Sequence, residues 1–339
     1  MNFITTPLLI ISTIQLSVIH TSNCFTVLSQ LMTSSGRKTQ WNMKENQSAD
    51  DNFFKHKNIL LTGASSGLGR SLAGQFILNG ASKLVLSGRK KDNLMETKQM
   101  CLDLWKETFG EEVRKPDIPI ITCDLAKKED VQVMCDKIKL DHGDIDVLVN
   151  NGGLSSRSRF IDTDIDVDEM LMQVNFLSGA ALAKAVVPDM MKRAGSTGSK
   201  YDAAIIWISS VQGLLGIPNR SSYAASKFAV QGYCESIRAE LAPSNILVSV
   251  VSPGYIRTNL SKSAITGNGE LYNKEDSNTL NGADPDDVAK VIVSGVSVGK
   301  TDIIVNPGVS ASIGLWIRFL LPSVFQNLMV KRYEKSLKE

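Results

Sequence analysis

The chain has 339 residues, 43% hydrophobic and 21% charged, with 25 Gly and 10 Pro, which is enough apolar mass for a large core and unlike collagen, coiled coils or disordered chains. Lys and Arg total 37 against 35 Asp and Glu, a net charge of +2, so the basic field that phosphodiester backbones require is missing and nucleic acid is set aside as a partner. Five cysteines without a C-x-x-C pair read as buried thiols of a reducing compartment, and three scattered histidines lack ligand spacing, so no metal site is expected.

From Asn2 to Gly36 no side chain is charged, and Phe3 to Ile19 is mostly apolar. A membrane-spanning helix needs about 20 residues, so this run is short, and a signal peptide or an uncleaved anchor over 1–32 both fit. Arg37, Lys38 and Lys44 follow the run while no basic side chain precedes it, an asymmetry that favours an anchor with its downstream side in the cytosol. Residues 33–56 are polar, show no helical or strand period, and read as a linker. Over 57–308, short β-branched runs alternate with helical patterns, which predicts one doubly wound (Rossmann) α/β domain with a parallel sheet. Its seven strands are expected at Asn58–Leu61, Lys83–Leu86, Ile118–Thr122, Val147–Val149, Ala203–Ile208, Leu247–Val251 and Asp302–Val305.

The first strand runs into Thr62, Gly63, Ala64, Ser65, Ser66, Gly67, Leu68 and Gly69, followed by an amphipathic helix. Glycines at a helix N-terminus admit a pyrophosphate close to free amides and to the positive end of the helix dipole. No Gly-Lys-Ser/Thr follows, which excludes a Walker A loop. Gly63 to Gly67 also satisfies G-x-S-x-G, the nucleophile elbow of α/β-hydrolases, but that chemistry needs an acid and a histidine downstream, and His142 is the sole downstream histidine.

The G-x-x-x-G-x-G spacing, Asn150-Asn151-Gly152-Gly153 after the fourth strand, and Tyr223-x-x-x-Lys227 after the fifth together resemble the short-chain dehydrogenase/reductase family over about 250 residues. The resemblance implies that Tyr223 is the general acid/base, that Lys227 also holds the nicotinamide ribose, and that Ser210, thirteen residues before the tyrosine, polarises the substrate carbonyl. Ser209 is the rival for that last role. Asn175 resembles the asparagine that completes the tetrad and supports a proton relay. Independently of the family, Tyr223 and Lys227 lie four apart on one helix face, where an ammonium is expected to lower the phenol pKa.

The resemblance further implies a nicotinamide dinucleotide on the glycine loop. After the second strand, Arg89 and Lys90 stand where an acidic residue would greet an unphosphorylated ribose, so a 2′-phosphate and NADP(H) are expected. Asp124 and Leu125 look like the adenine contacts, with a helix N-cap as the other reading of Asp124. Asn151 and Gly152 take the adenosine side, although a glycine replaces the usual alanine. Pro253, Gly254, Ile256 and Thr258 resemble the turn beside the carboxamide and phosphates.

Leu154, Val211, Leu214, Leu215, Ile217 and Pro218 make the loops at the expected substrate end apolar, while Arg157, Arg159 and Arg220 could meet an anionic group. The Ser252-to-Ser261 run and both apolar ends resemble a finer branch of the family, the membrane-associated member-seven dehydrogenases/reductases. The apolar loops suggest a lipophilic substrate such as a lipid, steroid or retinoid-like carbonyl, bound by Ser210 and Tyr223, and the finer likeness implies a lipid carbonyl such as an acyl or alkyl dihydroxyacetone phosphate. It also implies attachment to the endoplasmic reticulum or peroxisomal membrane with a cytosolic domain, a secretory lumen being the alternative, and leaves a homodimer open. In 309–339, Trp316, Phe319 and Phe325 beside Arg318 and Lys331 suit a helix in the membrane interface or one packed over a pocket or partner. A catalytically silent cofactor-binding regulator or scaffold on the same fold is the second functional reading, opposed by the complete Ser210, Tyr223 and Lys227 set.

Overall fold

The computed structural model describes residues 52–338 apart from 194, 196–199 and 275. The expected anchor and nearly all of the linker lie outside the described residues. Seven strands, β1 (Asn58–Leu61), β2 (Lys83–Gly88), β3 (Ile120–Thr122), β4 (Val147–Asn150), β5 (Ala203–Ile208), β6 (Ile246–Pro253) and β7 (Asp302–Val305), form one sheet in the order β3-β2-β1-β4-β5-β6-β7. All six pairings are parallel. Each crossover carries a helix, and the strand order reverses between β1 and β4, where open α/β sheets open a crevice.

Alternation along the strands builds two cores. Ile59 and Leu61 of β1 and Ile206 and Ile208 of β5 face α1 (Gly67–Leu78), α2 (Lys91–Phe109) and, in chain order, α7 (Pro285–Ser297). Leu60, Leu148, Ile205 and Trp207 face the other way, onto α3 (Lys128–Asp141), α5 (Ser178–Lys192) and α6 (Ser221–Leu241). Burial on both faces is why these strands read as continuous apolar runs. The chain from α4 (Ile165–Met172) through a π-helical turn at Gln173–Leu177 into α5 is long and apolar enough to cross a membrane, but Leu182, Ala183, Val186 and Met190 pack on the sheet. It is a core helix by contact.

Three boundaries differ from the sequence reading. The packed part reaches upstream of Lys57, because Phe54 is fully buried against Phe76 with Phe53 edge-on to it. Strand β3 starts at Ile120 because Pro119, which has no amide hydrogen, interrupts the ladder, though the carbonyls of Asp117 and Pro119 still receive the amides of Leu84 and Leu86. The C-terminal segment forms two helices, α8 (Val309–Leu320) and α9 (Pro322–Ser336), neither of which buries a residue.

Candidate active site

The loops leaving the carboxyl ends of β1 to β6 surround a cavity of about 530 Å³. Its cofactor end is the glycine turn. Ser66 caps α1 in extended conformation without a side-chain hydrogen bond, which leaves the first-turn amides directed at the cavity floor. A Cβ on Gly69 would lie 2.1 Å from the Gly63 carbonyl oxygen, so only glycine allows this turn to close. Asn151 ties it across the crevice: its Nδ2 donates to the carbonyls of Thr62 (3.0 Å) and Gly63 (3.2 Å). Thr62 is itself buried and does not line the cavity; its hydroxyl accepts from the amides of Asn151 and Gly152, both at 3.0 Å. A Cβ on Gly152, in place of the expected alanine's, would lie 2.5 Å from Leu125 Cδ1, so the end of that half-buried side chain would have to turn aside.

Gly63, Ser65, Ser66, Gly67, Leu68, Gly69, Arg89, Asp124, Leu125, Asn151 and Gly152 all line the cavity, as do Pro253, Gly254, Ile256 and Thr258. Lys90 does not; it precedes α2 with its side chain in solvent. The N-cap reading of Asp124 is corrected, because Lys127 occupies the cap of α3, and Asp124 instead accepts from the Ala126 amide at 3.1 Å. These residues fit a dinucleotide: a cradle that a Cβ would fill, uncapped amides for a pyrophosphate, and one guanidinium at the end of β2.

At the other end, Tyr223, Ser210 and Lys227 line the cavity together, and Ser210 Oγ accepts from the Gln212 amide at 3.2 Å. Ser209 turns away, its hydroxyl directed at the Lys227 carbonyl (3.4 Å) and met by Gln231 Nε2 (3.4 Å). Burial pushes the Tyr223 phenol up, against the neighbouring Ser210 hydroxyl and the Arg157 and Arg220 guanidiniums, which pull it down. Lys227 contributes less than expected because its ammonium, 5.7 Å from the ring centroid, donates to the Ile208 carbonyl at 2.9 Å. Burial lowers its own pKa to about 8. Asn175 sits in the π turn behind the cavity wall. Its Oδ1 accepts from the Leu154 amide (2.7 Å) and its Nδ2 donates to the Leu154 carbonyl (2.9 Å) and to Ser226 Oγ (2.9 Å). This clamp fixes the edge of the crevice and the turn of α6 that carries Tyr223 and Lys227.

The substrate end departs from the sequence reading. Leu154 lines the cavity, joined by Met170, Val174 and Leu260, whereas Leu214 and Leu215 meet α8 instead. Arg157 and Arg220 are nearly buried in the wall, and both pair with Asp276, at 3.7 and 3.0 Å. Arg159 is exposed and pairs with Asp162 on the surface. Sequence reasoning missed Gln212, Tyr255, Asp276 and Thr279. The last three belong to the segment between β6 and α7, whose length without an apolar period marks a functional loop. His142, the base a hydrolase would need, ends α3 near Lys83 at the amino ends of the strands, across the sheet's length from the cavity, which removes that reading.

A family model described as short chain dehydrogenase matches residues 57–268. The chain is 42% identical over 293 residues to a dehydrogenase/reductase SDR family protein 7-like of Anopheles gambiae, covering 86% of this chain and 87% of that one. It is 38% identical over 281 residues to dehydrogenase/reductase SDR family member 7B of Xenopus tropicalis, covering 83% and 86%. Among solved structures, a short-chain dehydrogenase from Sphingobium yanoikuyae in complex with NADPH superposes with a TM-score of 0.62 at 25% identity, over 81% of this chain and 95% of that one.

Proposed function

The chain belongs to the short-chain dehydrogenase/reductase family and is an oxidoreductase, and from that premise we propose that it interconverts a carbonyl and a secondary alcohol on a lipophilic substrate with NADP(H). The observation that carries the reading is the buried Tyr223, which shares with Ser210 and Lys227 the same cavity that the glycine turn floors. In this reading the Gly63–Gly69 turn holds the pyrophosphate, Arg89 the 2′-phosphate, Asp124 and Leu125 the adenine, Asn151 and Gly152 the adenosine side, Lys227 the ribose hydroxyls, and Pro253 to Thr258 the carboxamide edge. NADPH complexes among the structural neighbours support this choice, and one neighbour is bound to NAD.

The bound nicotinamide supplies the hydride. The chain's own work is orientation and proton delivery. The Ser210 hydroxyl donates to the carbonyl oxygen as negative charge develops there, and Tyr223 gives its proton to the same oxygen. Burial favours the neutral phenol, which suits a proton donor and hence the reductive direction. The Lys227 ammonium stabilises the phenolate left behind. Asn175 is a positioning residue, holding Leu154 and Ser226 rather than touching substrate. Leu154, Met170, Val174 and Leu260 support an apolar substrate body.

The test is Tyr223→Phe, which removes the transferable proton and keeps the ring. Ketone reduction is expected to fall by about 100-fold or more, with NADPH binding, followed by fluorescence titration, within a few-fold of the parent. Turnover near the parent level would assign the acid to another group.

A further inference from the structure

The C-terminal helices carry their apolar side chains on the wrong side for a water-soluble domain. In α8, Val309, Ile313, Trp316 and Leu320 recur at helical spacing and form a solvent-facing stripe, with Phe319 beside it; Trp316 is 65% and Phe319 82% exposed. The opposite face, half a turn away, is the one that meets the domain. Gly314 lies against Leu215, and Arg318 covers the Phe228 ring at 5.1 Å while donating to the Leu214 carbonyl. An amphipathic helix packed on a protein normally buries its apolar stripe; this one turns a half-buried glycine and an arginine that stays exposed toward the domain.

The stripe continues past the break at Leu321. Leu321, Val324 and Leu328 are exposed along α9, which then ends in Lys331, Arg332 and Lys335. No acidic residue occurs between Asp302 and Glu334. The hairpin is fastened to the loop between β5 and α6 at two places, by Arg318 at Leu214 and by Asn219 Nδ2 donating to Ser336 Oγ at 3.2 Å. That loop also supplies Gln212 and Arg220 to the cavity wall.

We propose that the α8–α9 hairpin docks on an anionic phospholipid bilayer, with Trp316, Phe319 and Leu320 among the acyl chains and the basic end of α9 at the headgroups, and that it holds the mouth of the Tyr223 cavity at that surface. Apolar groups next to cations, without an intervening acid, complement an interface that is oily inside and negative outside. A second copy of the chain is a poorer occupant, because a two-fold contact would set the same segments against one another, each with Lys331, Arg332 and Lys335 against the single acid Glu334. The second half of the proposal rests on the lipophilic-substrate reading; the first half does not.

The experiment uses the full chain and vesicles of phosphatidylcholine and phosphatidylserine with brominated acyl chains, which quench tryptophan on contact. Wild-type emission is expected to drop on vesicle addition by a component that Trp316→Phe removes, whatever the rest of the chain does at the membrane. Equal quenching in both proteins overturns the docking. So does a blue shift of the Trp316 component with protein concentration alone, accompanied by a doubled mass in sedimentation, since a second copy then covers the stripe. For the cavity, Trp316→Glu with Phe319→Glu is expected to raise KM for a long-chain ketone presented in vesicles by about tenfold while turnover of a short soluble ketone is unchanged. An unaltered KM overturns the placement of the cavity mouth. Absence of turnover on any ketone would count against the catalytic reading and leaves the quenching result standing.

Discussion

Two buried groups of opposite protonation habit meet at the catalytic end, and their titrations separate along the pH axis. Burial holds the Tyr223 phenol neutral through the physiological range, so the proposed proton donor is loaded at neutral pH and above. The Lys227 ammonium, lowered to about 8, is the group that changes first. As pH rises through that value in the free enzyme the positive charge is lost, and kcat/KM for ketone reduction is expected to fall by about tenfold per pH unit above the bend. Lys227→Arg keeps a cation at every accessible pH and should carry the bend upward in a pH-rate profile, whatever its effect on the plateau. A bend near 8 in both proteins would give the titration to another residue. Arg89 governs a different choice. A guanidinium on a phosphate is a charge-assisted pair, so Arg89→Asp is expected to weaken NADPH by about 10- to 100-fold and NADH by no more than a few-fold, read by competitive fluorescence titration. Equal loss for both would remove the 2′-phosphate from Arg89.

Among the elements, what the sequence announced and what it withheld follow from packing. Six of the seven strands start within one residue of their expected positions because strands buried on both faces must be apolar throughout, as Ile205, Ile206 and Trp207 are. The convergence of the glycine turn, Ser210, Tyr223 and Lys227 on one cavity was legible, because close backbone approach and the proposed proton transfer tolerate few residue types. Gln212 and Asp276 were not, since their burial depends on which loops meet over the cavity, and no local pattern encodes that. The π turn was equally silent: nothing in Gln173-Val174-Asn175-Phe176-Leu177 distinguishes it from an ordinary helix. Gly152 joins two elements in a testable way. With Leu125 Cδ1, the movable end of a half-buried side chain, so near the place of a Cβ, Gly152→Ala should destabilise the fold by about 1 kcal/mol, the low end of overpacking. Shortening the obstruction with Leu125→Ala should make the second substitution nearly neutral, a coupling measured by urea denaturation of the four proteins in the cycle. Additive losses would mean that the turn relaxes by backbone movement.

For the whole molecule, the described residues bear on the proposal that the domain faces the cytosol. Cys101, Cys123, Cys135 and Cys234 are all free and buried, with burial pushing the thiols of Cys101, Cys123 and Cys234 up to about 12, a state compatible with a reducing compartment. Of the three Asn-x-Ser sequons, Asn219 donates to the C-terminal helix and Asn259 lines the cavity, so glycans there would stand in the substrate path. Asn46 lies outside the described residues. We therefore expect the full-length chain in microsomes to show no glycosidase-sensitive mass shift and to be digested by added protease without detergent. Deleting residues 1–36 should reduce carbonate-resistant membrane association, the remainder being due to α8 and α9. A glycosidase shift at Asn46 would put the domain in the lumen.

The widened turn at Asn175 makes the fold sensitive to chain length in a way no substitution reveals. A π turn holds one residue more than the α-helical repeat, so α4 and α5 are out of phase with each other by one step, about 100° of rotation. That offset is what brings Val167 and Leu171 of α4 onto Tyr223 and Ile265. Any side chain can be exchanged in Gln173–Leu177 without altering the count. Removing a single residue would let the helix run straight, turn Val167 and Leu171 away from the tyrosine, and leave the acid/base exposed on the side where the protein now shields it from water.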